Sequence, residues 1–134
     1  MTPCRPWLAG ALALLAFGSV SAAPDTVHGE QVYARCLACH ALAYDRVGPR
    51  HCGLLGRRAG SLPGFNYSEA MKNSRITWDE KTLDLFLAGP LKTVPGSTMT
   101  YDGIADPKDR SDLIAYLRQV NKTPECRTPM PAKP

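Results

Sequence analysis

Five consecutive residues, Cys36-Leu37-Ala38-Cys39-His40, constrain this chain more than any other feature of it. Two cysteines separated by two residues at a helix end bring both sulfurs to one edge of a porphyrin, where each thiol can add across a vinyl group. The histidine that follows is carried over the ring face, where an imidazole nitrogen reaches iron. Two other chemistries use paired cysteines. A dithiol oxidoreductase needs a strand ahead of its motif, and the residues ahead of Cys36 read as helix. A zinc site needs a second close pair of ligands, and Cys52 and Cys126 do not form one. The pentapeptide therefore points to one covalent haem c, with Cys36 and Cys39 as its anchors and His40 as an iron ligand.

Covalent haem attachment needs reduced thiols outside the cytoplasm, and the N-terminus reads as an export signal. Arg5 precedes an apolar run from Trp7 to Val20, and small residues close the segment at Ser21, Ala22 and Ala23. That run is too short for a bilayer of ~30 Å, which needs about 20 apolar residues, so residues 1–23 are expected to be a cleaved signal rather than a retained anchor. Cleavage leaves Lys plus Arg at 15 against 12 acids, a mild excess. It suits docking on an acidic protein partner, and no basic stripe with interleaved aromatics marks a nucleic-acid binder. The sequence thus predicts a periplasmic protein, monomeric and without stable membrane insertion.

The remainder divides into a domain over residues 24–121 and a proline-rich tail over 122–134. Four helices are expected. The first is capped by Asp25 or Thr26, with Val32, Tyr33, Cys36, Leu37 and His40 along one face; Gly29 inside it implies a close approach by another element. A short one covers 68–73. The third opens on a capping box of Thr77 and Glu80 and stops at Gly89-Pro90. The last starts at Asp106-Pro107 and ends near Asn121, with Leu113, Ile114, Tyr116, Leu117 and Val120 as its apolar stripe. Two long irregular stretches, 47–66 and 89–105, carry apolar residues that suit wrapping a ligand. Helices this modest make a thin core, which a buried planar cofactor would complete.

A second iron ligand separates an electron carrier from an enzyme with an open coordination position. Met71 falls in the short helix, Met130 in the tail, His28 on the helix that leads to His40, and His51 reads as a hydrogen-bonding loop residue. Met99 follows Pro95-Gly96 in an extended loop, with Ser97, Thr98 and Thr100 able to hold it, and is the best-placed candidate. A neutral thioether favours ferrous iron and raises the reduction potential.

Assembled in this way, the chain resembles class I cytochrome c, in the branch shared by mitochondrial proteins and soluble bacterial carriers. The resemblance rests on Cys36 to His40, Gly48-Pro49, Gly53-Leu54-Leu55-Gly56-Arg57, Pro63-Gly64-Phe65-Asn66-Tyr67, Ile76-Thr77-Trp78, Pro95-Gly96-Ser97-Thr98-Met99 and the run from Asp112 to Leu117. It implies an all-α fold of three to five helices and long loops around one haem, with His40 and Met99 as the axial ligands. It also implies that the Pro49 carbonyl holds the His40 ring, and that Arg57, Tyr67 and Trp78 surround the haem propionates. Gly29 and Tyr116 match the crossing of the terminal helices.

The chain departs from the pattern at Phe86, where many relatives have tyrosine, and at Met71, which replaces a polar residue; both remove hydrogen bonds from the distal pocket. Cys52 and Cys126 have no haem role in the pattern, and a disulfide pinning the tail to the loop below the haem is expected. The function implied is one-electron shuttling between redox proteins rather than catalysis, with Arg35, Lys72 and Lys92 able to rim an exposed haem edge. A peroxidase-like enzyme and a dedicated cytochrome subunit of a periplasmic dehydrogenase are the competing readings.

Overall fold

The computed structural model describes Met1 and residues 22–127. The export segment, apart from its last residues, and the end of the tail lie outside the described residues. Six α-helices follow in order: α1 (Thr26–Tyr33), α2 (Glu69–Asn73), α3 (Glu80–Ala88), α4 (Pro90–Thr93), α5 (Pro107–Val120) and α6 (Pro124–Arg127). Among the described residues the only β-type pairing is an isolated antiparallel bridge between Arg58 and Thr77.

Asp25 caps α1, accepting from the amides of Val27 and His28. The helix does not run on to His40 as its apolar face suggested. It tightens into a 3-10 turn over Ala34–Cys36, and the chain then folds back so that the amides of Cys39 and His40 both reach the Cys36 carbonyl. Such tightening is a common way to end a helix, and here it turns the two cysteines and the histidine out of the helical register.

The start of α3 also differs from the expected Thr77/Glu80 box. Asp79 is the cap: its carboxylate accepts from the Thr82 amide at 2.7 Å, and the Thr82 hydroxyl accepts from the Asp79 amide at 2.9 Å. Thr77 is unavailable because its backbone is committed to the bridge with Arg58, beside the bond from the Trp78 amide to the Arg57 carbonyl. Asp106 caps α5, as expected, and Ser68, expected as the first residue of the short helix, is instead the cap of α2. Two short helices occupy stretches that read as irregular. α4 starts at once after Gly89, with Pro90 in its first turn. α6 lies in the tail, which a disulfide between Cys52 and Cys126 ties back to the loop after His51 (S–S 1.96 Å, Cα–Cα 4.9 Å).

The core gathers Val32 and Tyr33 from α1, Leu83, Phe86 and Leu87 from α3, and Leu113, Ile114, Tyr116 and Leu117 from α5, with Leu54, Met71, Trp78, Val94 and Ile104 from the loops and α2. α1 crosses α5 at Gly29, where a Cβ would lie 2.1 Å from the Asp112 carbonyl oxygen. Asp112, the fully buried carboxylate at that crossing, accepts from the Asp25 amide, from His28 Nδ1 and from Lys108 Nζ. α1 and α5 are thereby locked together, leaving the loops to close around the cavity beside them.

Candidate haem site

A cavity of about 300 Å³ opens between α1, α3, α5 and the long loops. Cys36, Cys39, His40, Pro49, Arg57, Tyr67, Trp78 and Met99 all line it. The eight positions picked from sequence for cofactor binding, drawn from segments up to 63 residues apart in the chain (Cys36 to Met99), therefore converge on one space.

On one wall, Cys36 is half-buried and Cys39 exposed, both as free thiols; burial pushes the Cys36 thiol up to about 11. His40 is buried, and its Nδ1–H donates to the Pro49 carbonyl at 2.8 Å. That bond fixes the tautomer and leaves the lone pair on Nε2. Burial pushes the ring's pKa down from its ordinary value, against the opposing effect of the Pro49 carbonyl, so the imidazole is neutral and able to ligate. Gly48 presses against the same ring: a Cβ there would fall 2.3 Å from Cε1 and 2.6 Å from each nitrogen. No residue but glycine fits beside the histidine.

Met99 lines the same cavity, its loop held as expected, with its amide donating to the buried Ser97 hydroxyl at 3.2 Å. Met71 and Phe86, the two apolar departures, also line the space and are buried; Phe86 packs on Trp78 with ring centroids 5.0 Å apart. The lining as a whole is mostly apolar, which suits a porphyrin face.

Arg57 tests whether the cavity fits a haem. Its guanidinium donates to the carbonyls of Cys52 (3.1 Å) and Arg50 (2.9 Å), yet its Nε is buried with no partner. A buried, unpaired guanidinium nitrogen is costly. A propionate is an anionic acceptor of the kind this donor lacks, so the donor set fits the group. Tyr67, whose hydroxyl burial pushes up in pKa, lies near enough to Arg57 to feel its charge.

His51 is the hydrogen-bonding loop residue that the sequence suggests, its Nδ1 bonded to the Tyr33 hydroxyl, but its ring has a second contact that the sequence does not suggest. The ring of His51 stacks on that of His40, with centroids 4.3 Å apart and planes inclined by 22°. Burial, with His40 and Arg57 adding to it, pushes the His51 imidazole down to about 3, so it is uncharged. Of the three basic residues expected near the haem edge, Arg35 pairs with Asp109 (3.2 Å) and Lys72 with Glu69 (2.8 Å).

The family model for cytochrome c matches residues 26–121, which span every element lining the cavity. This chain belongs to the cytochrome c family. It is 50% identical to a cytochrome c2 of Rhodomicrobium vannielii over 108 residues, covering 78% of this chain and 86% of that protein. A cytochrome c2 of Blastochloris viridis is 42% identical over 120 residues, covering 87% and 94%. Among solved structures, cytochrome cH from Methylobacterium extorquens superimposes with a TM-score of 0.69 at 44% identity, covering 71% of this chain and 98% of that one. Family membership brings one covalent haem c and the work of an electron carrier.

Proposed function

We propose that this cytochrome c is a periplasmic, monomeric one-electron carrier whose haem is joined to Cys36 and Cys39 and ligated by His40 and Met99. The observation that carries the reading is the meeting of a neutral, Pro49-fixed imidazole and a loop-held methionine in one apolar cavity. Bound there, the haem would supply iron able to alternate between ferric and ferrous states. The protein's part is to keep both ligands in place through that change, so that little has to move when an electron passes. The Pro49 carbonyl holds His40 at Nδ1, Gly48 lies against the same ring, Ser97 anchors the Met99 backbone, and the apolar walls keep water away.

An enzymatic reading needs an open iron position with an acid or base beside it. The described lining includes no carboxylate. Its only histidine besides His40 is His51, which is stacked on His40 and whose Nδ1 is bonded to the Tyr33 hydroxyl at 3.1 Å. Among the described residues no helix is long and apolar enough to cross a membrane. Residues 1–23 support export.

The test is the visible spectrum of the matured protein. Sulfur ligation gives the ferric form a weak long-wavelength band, which Met99→Ala should abolish. A five-coordinate resting iron, or a band unchanged in Met99→Ala, would refute the ligand assignment. Cell fractionation with N-terminal sequencing of the mature chain tests the export reading.

A further inference from the structure

We propose that His51 is a positioning residue for the iron ligand, its ring lying on the imidazole of His40 and setting the plane in which that imidazole faces the iron. The inference rests on the reading of His40 as ligand and concerns what orients it.

The hydrogen bond from His40 Nδ1 to the Pro49 carbonyl fixes the tautomer but constrains the ring plane weakly, since one bond near the axis through Nε2 lets the ring rock about it. Gly48 bounds the ring at Cε1 without a side chain to pack along it, and a flat contact over the ring restricts the remaining motion. His51 supplies one, at 4.3 Å and 22°. For a stack to orient its partner it must itself be held, and His51 is held three ways. Its Nδ1 bonds to the Tyr33 hydroxyl at 3.1 Å, and the two rings pack with centroids 5.6 Å apart. Its amide donates to the carbonyls of Ala41 and Leu42, just beyond His40. Its carbonyl accepts from the Asn121 side chain at 3.2 Å, and the next residue, Cys52, is bonded to Cys126. Tyr33 in turn packs on Tyr116 of α5, with ring centroids 5.4 Å apart. α1, α5 and the tethered tail thus hold the ring that lies on His40.

The plane of an axial imidazole governs how unpaired electron spin is spread over a ferric haem, and the proton NMR shifts of the four haem methyl groups read that spread directly. The experiment compares ferric holoproteins. His51→Leu, which keeps bulk but removes the flat ring, is expected to change the order or spread of the methyl shifts. His51→Phe, which restores a flat ring, is expected to return them towards wild type. Tyr33→Phe, which removes one oxygen, is expected to shift them in the same sense as His51→Leu by a smaller amount.

A wild-type pattern in His51→Leu overturns the proposal. So does a pattern in His51→Phe as altered as that of His51→Leu, because the flat ring would then be irrelevant. Should His51→Leu fail to retain haem, Tyr33→Phe decides alone, and a wild-type pattern in it overturns the proposal. Failure of the ligand reading is separate: it would show in the wild-type protein as a spectrum without histidine–methionine character.

Discussion

Gly29 on α1 and Asp112 on α5 meet so closely that a Cβ on the glycine would lie 2.1 Å from the Asp112 carbonyl oxygen and 2.9 Å from the Tyr116 Cβ. Neither atom is the far end of a flexible side chain, so the helices themselves must part to admit a methyl group. Gly29→Ala gains about 1 kcal/mol in helix propensity. Overpacking of a rigid contact typically costs about 1–3 kcal/mol, and a backbone clash exceeds that range. The expected net loss is about 2 kcal/mol, seen by circular dichroism as a fall in Tm of roughly 10 °C. An unchanged Tm would show that the crossing is looser than its geometry.

The same crossing controls behaviour in acid. Burial pushes the Asp112 carboxyl up, but bonds from Lys108, the Asp25 amide and His28 outweigh it and hold the group at about 2. A carboxylate depressed on folding contributes stability that is whole above its unfolded value of about 3.9 and is lost as pH falls towards 2. Asp112→Asn removes that dependence, and because it weakens the bonds that the Asp25 amide, His28 and Lys108 make to a buried charged acceptor it costs about 2 kcal/mol at neutral pH. Urea unfolding at pH 7 and pH 3 measures both effects: the variant should be weaker at pH 7, with the gap narrowing at pH 3. A constant gap would place the titration elsewhere.

What the sequence made legible were the local patterns. The cysteine pair and His40 are read from five adjacent residues, and the cap Asp106 from the proline that follows it. Met99 could be selected only once the haem motif was in hand, from its place in the extended loop after Pro95-Gly96. Less legible was anything decided by a distant partner. Thr77 and Asp79 both look like caps, and only the bridge to Arg58 disqualifies the first. The His40–His51 stack is invisible in a sequence, since the two rings are eleven positions apart and a loop histidine more often serves as a simple hydrogen-bonding group. The tail is the exception among distant pairings: Cys52 and Cys126 had no haem role, the disulfide expected between them is present, and it holds the four-residue α6, which the sequence did not suggest.

That bond carries its own prediction. Cys52 and Cys126 close a loop with a sequence separation of 74. In the chain-entropy model such a closure contributes about 4 kcal/mol. The double variant Cys52→Ser/Cys126→Ser is expected to lose most of this in urea unfolding while keeping its visible spectrum, because Cys36 and Cys39 are untouched. Reduction of the wild-type disulfide should reproduce the loss. Two free thiols in the native mature monomer, found by alkylation and mass spectrometry, would remove the basis of the prediction.

Arg57 sets an expectation for the reduction potential. Two of its nitrogens are spent on the carbonyls of Arg50 and Cys52, and the buried Nε has no protein partner, so the charge is fixed at the cavity wall rather than dispersed in water. A fixed positive charge opposes the ferric state more than the ferrous one, because oxidation adds a charge of the same sign nearby. Removing it should therefore make oxidation easier. At the effective dielectric of protein sites the effect of one such charge is about 1 kcal/mol, or some tens of millivolts. Arg57→Leu is expected to lower the potential by that amount in cyclic voltammetry. Arg57→Lys, which keeps the charge but cannot span both carbonyls, should fall less. A potential that is unchanged or raised in Arg57→Leu would show that the iron does not feel the guanidinium charge.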